Sequence, residues 1–132
     1  MSEALFDTGI LLDALRGHAP AQAELESCKR RYLSRVSWIE IMAQALPDDG
    51  DRIERFMRHF NILELTDEIA RRAALLMSQR RAFPLSSAII LASAQLSGRI
   101  LVTRNASVFP ANMLGVRIPY KLQPGASSED AS

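Results

Sequence analysis

Residues 84–109 read PLSSAIILASAQLSGRILVTRNASVF, and this stretch decides the fold. Ile89, Ile90, Leu91, Ala92 and Ala94 leave almost no polar face, so the spacing predicts a buried helix rather than a surface one. Gly98 is placed to end that helix. Ile100-Leu101-Val102 follows at once as a short apolar strand, the pattern of strands covered on both faces in parallel sheets. Thr103-Arg104-Asn105 then leaves the carboxyl end of the strand, where open α/β folds place their sites.

Working outward, Ala4-Leu5-Phe6 is a first strand ending in Asp7, with Thr8-Gly9 turning into a helix that closes near Gly17. Pro20 opens a second helix through about Arg30, with Ala21, Leu25 and Cys28 inward and Glu24, Glu26, Lys29, Arg30 and Arg31 on a solvated face. Tyr32–Val36 reads as the second strand. Ser37 is then an N-cap with Glu40 at capping-box spacing, and Ile39, Ile41, Met42, Ala45 and Leu46 form the stripe of the next helix. Pro47–Gly50 breaks it before a helix carrying Ile53, Phe56, Met57 and Phe60 inward. Ile62–Leu65 is an edge strand, and Thr66 caps a helix with Ile69, Ala73, Leu76 and Met77 inside and Arg71, Arg72, Arg80 and Arg81 outside. Val116–Ile118 is the last strand.

Strands separated by helix pairs specify an α/β fold: a three-layer α/β/α sandwich around a mostly parallel sheet of four to five strands. At 132 residues one domain is expected, over residues 1–122, with PGASSEDAS too poor in apolar surface to order and residues 123–132 a disordered tail. A formal charge of +1 gives no electrostatic case for nucleic acid as a partner. Of 16 basic residues all but Lys29 and Lys121 are arginine, which suits phosphate recognition and equally a solvated surface. The lone Cys28 excludes a disulfide framework, and no stretch resembles a signal peptide or membrane span, so a cytoplasmic protein is expected.

The strand ends collect Asp7, the Ser37–Glu40 turn and Thr103–Asn105. An acid closing a buried strand is costly unless solvated, paired or bound to a cation. Asp7 is read either as a helix cap or, with Glu40, as one of two oxygen ligands for Mg²⁺, which one or two carboxylates plus substrate phosphate commonly hold. Spacing alone leaves both readings open. His18 and His59 have no partner at ligand spacing.

Five blocks, FDTGILLDALRG, SRVSWIEI, PLSSAIILASAQ, ILVTRNASVFP and GVRIPYKL, resemble in that order those of PIN-domain proteins of the VapC toxin type, from Ala4 to about Leu122. The resemblance implies the same sandwich, a Mg²⁺ (or Mn²⁺) endoribonuclease acting on RNA, an antitoxin partner and a homodimer. It carries the first two site acids to Asp7 and Glu40, as catalytic and metal-binding residues. The third acid falls on Ser87 and the fourth on Val108, neither of them acidic. Asn105 matches, Gly9 stands where many relatives have Asn, and Thr8, Ser37 and Thr103 match supporting hydroxyls. The site implied is therefore degenerate, with nuclease activity impaired or lost. The alternative is a residual one-metal ribonuclease using Asp7 and Glu40. A phospho-acceptor receiver domain fits less well, because Asp7 has no adjacent acid.

Overall fold

The computed structural model describes residues 1–121, so the expected tail lies outside the described residues. The chain runs β1 (Glu3–Phe6), α1 (Thr8–Leu15), α2 (Ala19–Glu26), β2 (Arg30–Ser34), α3 (Arg35–Ala45), α4 (Gly50–Met57), β3 (Asn61–Leu63), α5 (Asp67–Gln79), α6 (Leu85–Ser97), β4 (Leu101–Val102) and β5 (Val116–Arg117). The five strands form one parallel sheet in the order β3-β2-β1-β4-β5.

Strand alternation divides the core in two. Ala4, Phe6, Leu33 and Val102 face α1 to α4, whereas Leu5, Tyr32 and Leu101 face α5 and α6. This is the expected α/β/α sandwich. The decisive stretch behaves as its composition requires. Residues 88–94 are buried without interruption, and the one polar member, Ser93, satisfies its hydroxyl by donating to the Ile89 carbonyl at 2.8 Å. Gly98 takes φ +68°, a conformation that a Cβ disfavours, and ends α6. Because α6 feeds β4 within four residues, it runs antiparallel to that strand, and its first turn lies at the carboxyl edge of the sheet.

Several boundaries differ from the sequence expectation. β2 ends at Ser34, two residues early, and Ser34 rather than Ser37 caps α3 by accepting from the Val36 N–H at 3.1 Å. Both serines are good caps; the register of β2 against β3, with Ser34 opposite Leu63, selects the first. Glu24 does not join a solvated face. It is buried and bonded through both carboxylate oxygens to Arg117 of β5, at 2.8 and 2.9 Å. Ile39, Leu46 and Met77, placed inward by helical spacing, are exposed, while Ile41, Met42 and Met57 are core. Arg80 is likewise not a free surface cation. It donates to the Val108 and Ser107 carbonyls and lies over the Phe83 ring, tying the end of α5 to the loop after β4.

Candidate active site

The strand order reverses at β1, whose neighbours are β2 on one side and β4 on the other. At such a switch point the loops leaving adjacent strands diverge and open a crevice at the carboxyl edge. Asp7 leaves β1 and Thr103 leaves β4 at that point. The Thr103 hydroxyl donates to Asp7 Oδ2 at 2.7 Å and accepts from the Asn105 N–H at 3.0 Å. Asp7 is also the N-cap of α1, accepting from the Thr8 N–H at 2.9 Å through Oδ1. The capping reading is thus correct in geometry, and it accounts for only one of the two carboxylate oxygens.

Thr8 continues the chain of contacts. Its hydroxyl donates to Glu40 Oε1 at 2.7 Å. A hydroxyl has one proton, so the 2.8 Å contact with Ser37 is donated by the buried Ser37 hydroxyl. Ser37 and Glu40 sit three apart on one face of α3, within the helix rather than at its start. The capping box expected for Glu40 is therefore absent, which leaves this carboxylate aimed at Thr8 across the notch.

Ser87 occupies the first turn of α6, which the topology puts at this edge. Val108 is half-buried and packs against the α5–α6 core, while its N–H donates to Asn105 Oδ1 at 3.4 Å. The side-chain hydrogen bonds thus join Asp7, Thr8, Ser37, Glu40, Thr103 and Asn105; Ser87 lies at the same edge of the sheet, and the Val108 side chain is packed against the α5–α6 core.

Sequence reasoning missed a second polar cluster beside the first. Asp13, on α1, is 3% exposed and lies 2.8 Å from Arg104 Nε. The Arg104 Nε–H is not aimed along that line, so the contact is an ion pair without a formed hydrogen bond. The Tyr120 hydroxyl supplies the directed bond to the same Oδ2, at 2.6 Å. Burial and this bond to Asp13 push the Tyr120 hydroxyl far above its ordinary range, so it remains a donor. Tyr120 and His18 also stack edge-on at 4.9 Å. The only sequence signal for this cluster is an acid on the inward stripe of α1, two residues after Leu11.

Burial raises the Asp7 carboxyl above its ordinary 3.8; the Thr103 and Thr8 hydrogen bonds oppose that shift, the Glu40 charge adds to it, and the Arg104 charge opposes it. The folded protein therefore holds the Asp7 proton to higher pH than the unfolded chain does. Its stability falls as pH rises from 3.8 through the raised value and is level above it. An asparagine can still accept from Thr8 N–H and donate to the Thr103 hydroxyl. Asp7→Asn is accordingly expected to raise Tm by several degrees at neutral pH, with the gain shrinking as pH falls toward about 4. Thermal unfolding followed by circular dichroism across that range tests this, and a gap independent of pH would contradict it.

Among the described residues no group of three His, Cys, Asp or Glu side chains is arranged to hold a metal ion. Two carboxylates whose engaged oxygens keep further lone pairs suit one hydrated hard cation completed by a phosphate, and not a pair of cations.

The PIN-domain family model matches residues 4–111. The chain belongs to the PIN-domain family. Its VapC-like form is shared with solved structures. A toxin–antitoxin complex from Klebsiella pneumoniae is 36% identical, with 90% of this chain and 99% of that one covered and a TM-score of 0.84. FitAcB from Neisseria gonorrhoeae is 22% identical over 90% and 99%, at TM-score 0.72. DNA-bound VapBC from Salmonella typhimurium is 18% identical over 89% and 97%, at 0.71. No curated protein matches in sequence. PIN-domain nucleases generally use divalent metals such as Mg²⁺ or Mn²⁺. No helix among the described residues is long and apolar enough to cross a membrane.

Proposed function

We propose that this PIN-domain protein is the toxin-type member of a toxin–antitoxin pair whose Mg²⁺-dependent endoribonuclease activity is severely impaired. The 36% identity to a chain of a toxin–antitoxin complex over nearly the whole length supports an antitoxin partner. The observation that carries the impairment is the composition of the notch. Asp7 and Glu40 are assembled through Thr8 and Thr103, while the first turn of α6 offers Ser87 and the loop after β4 offers Val108. A valine supplies no ligand, and a serine at its ordinary pKa is a poor base and a weak ligand.

Asp7 and Glu40 are the residues that would hold a single Mg²⁺. Bound there, the ion would supply Lewis-acid polarisation of a phosphate and a more acidic water. The chain's own part is to fix the two carboxylates: Thr103 and the Thr8 N–H hold Asp7, and the Thr8 hydroxyl holds Glu40. That intact pair favours a second reading, a slow one-metal ribonuclease. Exposed Leu75, Met77, Leu85 and Leu96 on α5 and α6 support self-association as a homodimer.

The test is cleavage of structured RNA by purified protein with and without Mg²⁺. Little Mg²⁺-dependent cleavage is expected, with Asp7→Asn indistinguishable from wild type. Robust cleavage abolished by Asp7→Asn would overturn the impaired reading in favour of the one-metal enzyme.

A further inference from the structure

The Asp13–Arg104–Tyr120 cluster lies beside the Asp7–Glu40 contacts, linked to them through Arg104 and Gly9. Arg104 carries a fixed guanidinium into the first turn of α1. Gly9 leaves it room: a Cβ on residue 9 would meet Arg104 Nε at 3.0 Å, Cζ at 3.2 Å and Nη2 at 3.4 Å, and the guanidinium would have to give by a few tenths of an ångström. The first contact is tighter than ordinary packing allows, so the guanidinium rests against bare backbone. Gly9 directly follows Thr8, the residue that bridges the Asp7 cap to Glu40. The Arg104 charge also acts on the Asp7 carboxylate. Asp13 fixes the Nε side, and only 16% of the Arg104 side chain is exposed.

We infer that Arg104 is a phosphate-binding residue at the rim of the acidic notch, held by Asp13 and seated on Gly9 so that it receives a backbone phosphate of the RNA. The inference rests on the nucleic-acid reading proposed above and adds the residue that grips the strand. The chemistry favours it. A guanidinium has five donors, and an ion pair at Nε leaves the two terminal nitrogens for an anion. An anion approaching Asp7 and Glu40 is repelled by both carboxylates, and Arg104, packed on Gly9 next to Thr8, sets a guanidinium beside them. Phosphate contacts of this kind set the position of the strand without reading bases.

The experiment is fluorescence anisotropy of a labelled single-stranded oligoribonucleotide in EDTA, over a salt series. Arg104→Gln is expected to weaken binding about tenfold and to flatten the slope of log K against log salt by about 0.7, the loss of one phosphate contact. Arg104→Lys is expected to keep the slope and lose affinity, because an ammonium cannot span Asp13 and a phosphate together. Gly9→Ala retains every charge and is also expected to weaken binding, by displacing the guanidinium; it decides the matter if Arg104→Gln fails to fold. Wild-type affinity and slope in Arg104→Gln, or in Gly9→Ala where that variant decides, would overturn the inference and leave Arg104 a structural residue. No salt-dependent RNA binding by the wild type would overturn the RNA reading itself, and this inference with it.

Discussion

Asp13→Ala is expected to destabilise the protein by about 3–5 kcal/mol, the range for stranding one half of a buried ion pair. The alanine removes the partner of two groups at once. Arg104 loses the carboxylate 2.8 Å from Nε, and the Tyr120 hydroxyl loses its acceptor at 2.6 Å. Tyr120 cannot relieve the loss by ionising, because burial holds it protonated. Tyr120→Phe removes a donor and leaves the ion pair, so about 1 kcal/mol is expected from it. The double variant Asp13→Ala with Tyr120→Phe is expected to cost less than the sum of the two, since the second change removes a group the first had stranded. Urea unfolding of the four proteins measures this. A loss below about 1 kcal/mol for Asp13→Ala would show that water reaches the cluster and replaces the carboxylate.

That cluster also marks the limit of what the sequence discloses. The buried helix, its glycine stop and the apolar strand after it are local features, set within about 20 residues, and periodicity reports them directly. From α6 and β4 the parallel sheet follows, and so does the carboxyl edge where Asp7 and Thr103 meet. The blocks flanking Asp7, Glu40 and Asn105 named these residues together, and hydrogen bonds through Thr8 and Thr103 join them. Contacts between distant positions were not legible. Tyr120 meets Asp13 across 107 positions and Arg117 meets Glu24 across 93, and neither arginine, tyrosine nor glutamate carries a local sign of its partner. Glu24 reads as solvated because a carboxylate on a helix usually is. The start of α3 was misplaced for a different reason: two serines three residues apart both satisfy capping chemistry, and tertiary pairing of β2 chose between them. Exposure of Ile39 and Leu46 has another cause: α3 packs along its whole length through Ser37, Trp38, Ile41, Met42 and Ala45, which leaves Ile39 off that stripe and Leu46 beyond the helix as its C-cap.

Restoring the missing acids is expected to raise Mg²⁺ affinity by tenfold or more: one added carboxylate attracts a divalent cation by about 2 kcal/mol at about 4 Å even in a water-like dielectric, and tenfold needs about 1.4 kcal/mol. Ser87→Asp is the less costly half. α6 has no acid in its first turn, and its cap, Pro84, makes no side-chain bond, so an aspartate there gains from the helix dipole by about 0.3–1 kcal/mol. Against this stands repulsion from Asp7 and Glu40, roughly 1–4 kcal/mol per pair at 4 Å without metal. Val108→Asp is the costly half, because Val108 packs against the α5–α6 core. The double variant should therefore be less stable than wild type in EDTA and recover in Mg²⁺, a larger metal-induced rise in Tm than the wild type shows. Ser87→Asn, which matches aspartate in size without its charge, is expected to show no such gain. Calorimetric titration with Mg²⁺ gives the affinity independently of any activity. If neither Ser87→Asp nor the double variant binds Mg²⁺ more tightly than wild type while remaining folded, residues 87 and 108 do not face the Asp7–Glu40 notch, and the account of the site as one that has lost half its acids fails.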